Sequence, residues 1–109
     1  MSETFDQIEK QYFTVKGRFN DLISACKTDE QRGALQADYA SLRDNYNKAM
    51  NQRFEDNDPA IATLRSELRK RQEEIECSLK NLQDITAVID SISSAVRIGT
   101  KLVETVGGG

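Results

Sequence analysis

The sequence predicts an all-α protein, and three observations support this fold class. First, 30% of the 109 residues are charged and 38% are hydrophobic, a balance typical of long helices that each bury one apolar face. Second, there is no glycine between Ala34 and Ile98 and no proline except Pro59, whereas a β-sandwich or an α/β domain needs many turn residues. Third, apolar residues recur at steps of three and four, which is a helical period. We therefore expect one helical domain covering residues 1–109.

The first helix is predicted at about residues 3–26. Its apolar residues alternate between steps of three and four over three heptads, which is the pattern of a coiled-coil or bundle seam. Ser2 lies where an N-cap residue is needed to satisfy the free backbone N–H groups of the first turn. The seam consists of Phe5, Ile8, Tyr12, Val15, Phe19, Leu22 and Cys26.

The second helix is predicted at about residues 29–56. Thr28 and Gln31 have the spacing of a capping box, in which each side chain binds the backbone N–H of the other residue. The seam of this helix consists of Leu35, Tyr39, Leu42, Tyr46 and Ala49. After it, Asp58 suits an N-cap position and Pro59 suits the first helical position, so a sharp hairpin turn is predicted at these two residues.

The third helix is predicted at about residues 59–106, followed by a glycine-rich end at 107–109. At 1.5 Å per residue the three helices measure roughly 38, 42 and 70 Å, so the third outruns the other two. The predicted architecture is an antiparallel three-helix coiled-coil-type bundle with a long C-terminal helix extending beyond the other two. Two series at a spacing of seven support it, namely Ile61, Leu68, Ile75, Leu82, Ile89, Val96 and Val103, and Leu64, Arg71, Ser78, Ile85, Ile92, Gly99 and Val106.

The register of the predicted hairpin pairs a carboxylate with a guanidinium. If the second and third helices run antiparallel about Asn57–Asp58, then Asp44 faces Arg71. Arg71 occupies a seam position, where a charge without a partner is strongly unfavourable. We therefore predict an ion pair between Asp44 and Arg71. The same register leaves the helix from Thr86 to Val106 without a partner in its own chain.

The unpartnered end of the third helix is apolar, so we expect another molecule to cover it. Small residues at i,i+4 spacing in this stretch would let two helices approach closely. We predict that the stretch is the main intermolecular surface. Its residues are Ala87, Val88, Ser91, Ile92, Ala95, Val96, Gly99, Leu102, Val103 and Val106.

Three occupants would satisfy this surface. Copies of the same chain would make the protein a self-assembling structural or scaffold subunit, which is the function we expect first. A helix of another protein would make it an adaptor or a secretion-type chaperone. A lipid surface would make it a membrane-active amphipathic protein, although its polar face is poor in lysine for an anionic bilayer. A fourth alternative is a break near Ser93–Ser94 that folds about a dozen residues back into a four-helix bundle, a short returning piece.

The composition argues against catalysis and against nucleic-acid binding. There is no histidine and no glycine-rich phosphate loop, so no catalytic, cofactor or metal site is predicted. The net charge is −3 without a basic block, unlike a phosphate-binding surface. Cys26 lies on the apolar seam and is expected to be buried and unreactive, whereas Cys77 is expected to be exposed. The acidic start of the chain lacks the basic and apolar regions of a signal peptide, so we expect a cytoplasmic protein, with signal-independent export as an alternative.

Overall fold

The computed structural model describes residues 2–107, which form four α-helices and no strand. The all-α fold class is therefore confirmed, whereas the three-helix bundle with a long C-terminal helix was wrong. The bundle measures 41 × 21 × 19 Å along its principal axes. Of the predicted glycine-rich end, Gly108 and Gly109 lie outside the described residues. The helices are α1 (Glu3–Ala25), α2 (Asp29–Ala49), α3 (Pro59–Ser78) and α4 (Ile85–Gly107).

Side-chain caps define where the first three helices begin. The Ser2 hydroxyl accepts a hydrogen bond from the backbone N–H of Phe5 at 2.9 Å. Thr28 and Gln31 form the full capping box at the start of α2. Asp58 is the N-cap of α3, with Pro59 as its first residue. Each cap satisfies N–H groups that have no partner within the helix.

α1 and α4 each contact the three other helices, whereas α2 and α3 each contact only α1 and α4. α1 packs antiparallel to α2, and α3 packs antiparallel to α4, while α2 and α4 run parallel to each other, as do α1 and α3. No Cα atoms of α2 and α3 come within 8 Å of each other. These two helices therefore lie diagonally across the bundle, and the hairpin predicted between them was wrong.

The second helix ends at Ala49, seven residues before the predicted end at 56. The segment 50–58 instead crosses the end of the bundle to reach the start of α3. Phe54 anchors this crossing, since only 6% of its surface is exposed, and Asp56 binds the first turn of α1. Burial of Phe54 and satisfaction of the α1 N–H groups offset the helical hydrogen bonds that the segment gives up.

The predicted third helix is broken at 79–84, where the chain turns and α4 folds back along α3. The fold-back alternative was therefore right in kind but wrong in position, because Ser93 and Ser94 lie inside α4 and the returning helix has 23 residues. The physical reason is burial. A continuous helix would leave the apolar face of α4 in water, and each large side chain that it buries stabilises the fold by roughly 1.5–3 kcal/mol.

Candidate interaction surfaces

The residues predicted as the intermolecular surface lie mostly inside the bundle, which corrects that prediction. Val88, Ile92, Ala95 and Leu102 are fully buried. Val96, Gly99 and Val103 are buried as well, Ser91 and Val106 are half-buried, and Ala87 is exposed. α4 covers its own apolar face by packing between α2 and α3. The surface is therefore an intramolecular contact in the single chain.

The predicted ion pair between Asp44 and Arg71 is also corrected. Asp44 Oδ2 lies 3.1 Å from Nζ of Lys48, one turn along α2, and Nη1 of Arg71 lies 3.1 Å from a carboxylate oxygen of Glu74 on α3. The reason is the diagonal placement of α2 and α3, which separates the two charges. Both observed pairs are exposed, and such pairs typically contribute less than about 1 kcal/mol.

A ladder of hydrogen bonds joins α2 and its C-terminal extension to α4. Gln31, Asp38 and Asn45 are spaced seven apart, so they lie along one face of α2, and Gln52 follows at the same spacing beyond its end. The bonds are Gln31 Nε2 to Thr86 Oγ1 (3.4 Å), Ser93 Oγ to Asp38 Oδ2 (2.6 Å), Asn45 Nδ2 to Thr100 Oγ1 (3.1 Å) and Gln52 Nε2 to the Val103 carbonyl (2.9 Å). Burial raises the pKa of Asp38, while the Ser93 hydroxyl and the charge of Arg97 act in the opposite direction. The ladder sets the register of α4 on α2.

A layer of amide side chains separates two apolar clusters of the core. Gln11, Asn45 and Gln72 are at most 4% exposed and come from α1, α2 and α3. α4 contributes Gly99, where an added Cβ would lie 3.3 Å from Asn45 Nδ2 and 3.4 Å from Gln11 Oε1. Gln72 Nε2 donates to Thr14 Oγ1 at 3.1 Å. Gln11 Nε2 and Gln72 Oε1 have no partner, so the layer weakens the core where all four helices meet.

The amide layer was missed because the sequence interpretation placed Arg71 on the seam of α3. The buried positions of that helix are Ile61, Leu68, Gln72 and Ile75, followed by Leu79 in the turn. Gln72 is four residues after Leu68 and three before Ile75, so helical spacing alone points to a buried position. Arg71 lies one position away, with 42% of its side chain exposed.

Aromatic rings fill the groove between α1 and α2 and reach the surface there. Phe19 stacks on Tyr39 with ring centroids 4.5 Å apart, and Tyr12 stacks on Tyr46 at 5.1 Å. Phe13 meets the same Tyr46 edge-on at 5.3 Å and is 44% exposed. Such contacts stabilise by about 0.5–1.5 kcal/mol beyond area burial, so the rings form a rigid face.

An open groove of about 710 Å³ continues this aromatic face at the end of the bundle. Phe5, which stacks on Tyr46 at 6.0 Å, is shared by the two features. Met50 stands at the groove with 52% of its surface exposed. Glu9 and Arg53 also line it, so the groove carries one charge of each sign. We refer to Phe5, Glu9, Phe13, Tyr46, Met50 and Arg53 together as the α1–α2 face.

The two thiols have opposite environments. Cys26 is 8% exposed, and its Sγ donates to the Leu22 carbonyl at 3.3 Å. Burial raises the pKa of the Cys26 thiol, although the charge of Arg32 lowers it in part. Cys77 is exposed. Within residues 2–107, no three His, Cys, Asp or Glu side chains are grouped to hold a metal ion, and no helix combines the length and apolarity needed to cross a membrane.

The α1–α2 face offers apolar contact surface. Phe13 and Met50, the large hydrophobic side chains that residues 2–107 leave exposed, lie on this face, and the buried side-chain polar atoms that lack a partner in the same residues belong to amides, which do not titrate. Comparison of the chain with known protein families, with curated proteins and with solved structures gave no match. Function is therefore inferred from the residues of this chain alone.

Proposed function

We propose that this chain is a non-enzymatic helical interaction protein that self-assembles, with two copies meeting through the α1–α2 face. One observation carries the proposal. Phe13 and Met50 are the large hydrophobic side chains that residues 2–107 leave exposed. Ring contacts connect Phe13 through Tyr46 to Phe5, and Phe5 lines the same groove as Met50. Exposed apolar groups that cluster in this way are typical of binding sites.

The composition of the face supports a protein partner. Aromatic residues, methionine and arginine are the residue types enriched in the centres of protein–protein interfaces. Phe13 is held against Tyr12 and Tyr46, so it loses little side-chain entropy on binding. Met50 is flexible and adapts to an irregular partner surface. The Lys16 ammonium lies 5.5 Å from the centroid of the Phe13 ring and borders the face with a positive charge.

The charges of the groove favour a second copy as the partner. In a two-fold interface the same patch occurs on both subunits, so each contact is made twice. Glu9 and Arg53 line one groove and carry opposite charges. A second copy related by a two-fold axis can therefore place its Arg53 against Glu9, and its Glu9 against Arg53, while the apolar groups of the two faces meet between them.

Analytical ultracentrifugation over a range of concentrations tests the proposal. We expect the wild-type chain to form a dimer, and Phe13→Ser and Met50→Ser to shift it toward monomer by at least about tenfold in the dissociation constant, the size of a moderate hot spot. Arg69→Ser, an exposed change on α3, is the matched control and should leave the dimer intact. Arg53→Glu should weaken the dimer, and Glu9→Arg added to it should restore it.

Two results would overturn self-assembly through this face. The first is a wild-type chain that stays monomeric at every concentration reached. The second is a dimer that stays unchanged in Phe13→Ser, in Met50→Ser and in the variants with altered charges at Arg53 and Glu9. A monomer would favour the adaptor or secretion-type chaperone, in which the α1–α2 face receives a helix of another protein.

A further inference from the structure

The turn between α3 and α4 contains no residue that requires a turn. Residues 79–84 read Leu, Lys, Asn, Leu, Gln and Asp, without glycine or proline. No residue in the described part of the chain has a positive φ. Every residue of the turn therefore has a negative φ, so none has to leave the left-handed region when the two helices join.

The apolar repeat runs through this turn without a change of phase. Ile75, Leu82 and Ile89 are spaced seven apart on either side of it and within it. The turn between α1 and α2 differs. The α1 series that contains Leu22 would continue at positions 29 and 36, but α2 buries Leu35 and Leu42, which is one residue out of phase. The sequence is therefore patterned for a continuous helix across 79–84 and not across the turn between α1 and α2.

The start of α4 is also held loosely. The N–H of Val88 reaches the Asp84 carbonyl at 3.3 Å, and the N–H of Ala87 reaches Asp84 Oδ1 at 3.4 Å. At the start of α3, the corresponding bond to the Asp58 carbonyl is 2.8 Å long and the shorter side-chain bond is 2.9 Å. A continuous helix would replace the weak bonds of the turn with regular i→i−4 bonds, so little is lost when the turn opens.

From these features we infer that α3 and α4 can join into one helix, and that two copies of the chain then exchange their α4 helices. The joined helix would be about 73 Å long. Every contact that α4 makes in the single chain is remade with the other copy, including the bond from Asn45 to Thr100 and the one from Ser93 to Asp38. Exchange of an identical element is a low-cost route to a dimer, because only the hinge changes.

The exchange goes beyond the proposed contact and is independent of it. Phe13 and Met50 lie on α1 and at the end of α2, so the exchanged pair keeps one complete α1–α2 face on each of its two bundles. Exchange joins two chains through the core, and the faces remain free to join one exchanged pair to the next. The dimer of closed chains is therefore expected where exchange has not occurred, and refolding at high concentration, where both contacts form, gives an assembly larger than a dimer.

One pair of serines can be used to distinguish the closed chain from the exchanged dimer. Ser78 Oγ lies 3.1 Å from Ser91 Oγ across the α3–α4 contact. In a joined helix the same two residues would be about 20 Å apart, so a disulfide between them can form only with the other copy. The probe is therefore Ser78→Cys with Ser91→Cys, made in a chain that also carries Cys26→Ala and Cys77→Ser.

The chain is refolded at low and at high concentration, oxidised, and run on a denaturing gel without reductant. Exchange predicts a linked dimer whose fraction rises with the concentration during refolding. The dimerisation constant should be about 25-fold larger for Asn81→Ala than for Asn81→Gly, so the linked fraction should also be larger. Alanine favours the helix over glycine by about fivefold, and this preference acts at both hinges of the dimer. The variant with Ser91→Cys but without Ser78→Cys is the control, because it measures the disulfides that form when two chains collide at random.

A linked dimer no more abundant than in the single-cysteine control, at every concentration and also with Asn81→Ala, would overturn the exchange. So would equal dimer fractions for the two Asn81 variants. If two closed chains meet only through the α1–α2 face, ultracentrifugation finds a dimer, but the gel shows a monomer with an internal disulfide. Phe13→Ser should then remove the dimer. Failure of one proposal is therefore distinguishable from failure of the other.

Discussion

The Asp56 carboxylate accepts a hydrogen bond from the Thr4 hydroxyl at 2.6 Å and thereby fastens the α2–α3 crossing to the first turn of α1. The same carboxylate accepts the backbone N–H groups of Glu3 at 2.9 Å and Thr4 at 3.2 Å, and Arg65 Nη1 lies 3.6 Å away. The hydroxyl bond is the largest of the causes that lower the pKa of Asp56, and the backbone bonds and Arg65 add to it. A residue far along the chain thus acts as a second cap for α1.

Replacing Asp56 by alanine should destabilise the protein in a pH-dependent way. At pH 7 we expect a loss of about 1–3 kcal/mol, since several N–H and O–H donors lose a charged acceptor. The folded pKa lies below the unfolded one, so this stability is present above the unfolded pKa of about 3.9 and is lost as pH falls through the lower folded value. Urea unfolding at pH 7 and pH 2.5 measures the difference. Asp44→Ala is the exposed control, and an equal effect of Asp56→Ala at both pH values would contradict the assignment.

Asp58→Ala should lower the free energy of unfolding by about 1 kcal/mol. The Asp58 carboxylate accepts the N–H groups of Ala60 at 2.9 Å and Ile61 at 3.3 Å at the start of α3. Asn57→Ala, the neighbouring exposed change, should have little effect. A thermal midpoint that is the same for the wild type and Asp58→Ala would show that this cap contributes nothing.

The amide layer predicts opposite signs for two similar substitutions. Gln11→Leu removes a buried Nε2 that has no partner, so we expect stability to rise by about 1–2 kcal/mol. Asn45→Leu removes the partner of the half-buried Thr100 hydroxyl, so we expect a loss of similar size. Chemical denaturation of both variants measures the free energy of unfolding and shows whether the two changes have opposite signs. If Gln11→Leu destabilises as much as Asn45→Leu, the amide of Gln11 has a partner in solution.

The features that follow from local chemistry were predictable from the sequence. The capping residues Ser2, Thr28 and Asp58 and the apolar seam of α1 depend on neighbours a few positions away, and the structure places them accordingly. The break at 79–84 was not predictable in this way, because no glycine or proline marks it. It exists because folding back buries α4, and that gain depends on the whole bundle rather than on local sequence.

The candidate surfaces depended on which helices pack against each other, and the sequence did not specify this. The diagonal placement of α2 and α3 separates Asp44 from Arg71 and brings Asn45 to Thr100 instead. The four polar residues spaced seven apart along α2 and its extension were visible in the sequence, but their partners in α4 were not. Exposure of Phe13 likewise depends on which helices flank α1, since the residue next to it, Tyr12, is buried.

The cysteines should react with a thiol reagent at very different rates. Cys77 is exposed and should be modified at once in the folded protein. Cys26 is buried, donates to the Leu22 carbonyl and has a raised pKa, so it should react only when the bundle opens. Mass spectrometry after brief exposure to a maleimide should find one modification in native buffer and two in urea. Cys77→Ser should leave the native chain unmodified, and rapid modification of that variant would contradict the burial of Cys26.

Ala95→Leu combined with Gly99→Leu tests whether α4 belongs to the core of the single chain. Ala95 is fully buried, and a Cβ on Gly99 would already lie 3.3 Å from Asn45 Nδ2. Two leucines have no room there, and overpacking costs typically about 1–3 kcal/mol for each site, so we expect a clear loss of helicity or a much lower urea midpoint. Ala87→Leu is the control, because Ala87 is an exposed small residue of α4, eight residues before Ala95, and should change the midpoint little. Urea unfolding followed by circular dichroism gives the helicity and the midpoint of the double variant, the control and the wild type. If the double variant kept its full midpoint, α4 would not be packed between α2 and α3 in solution.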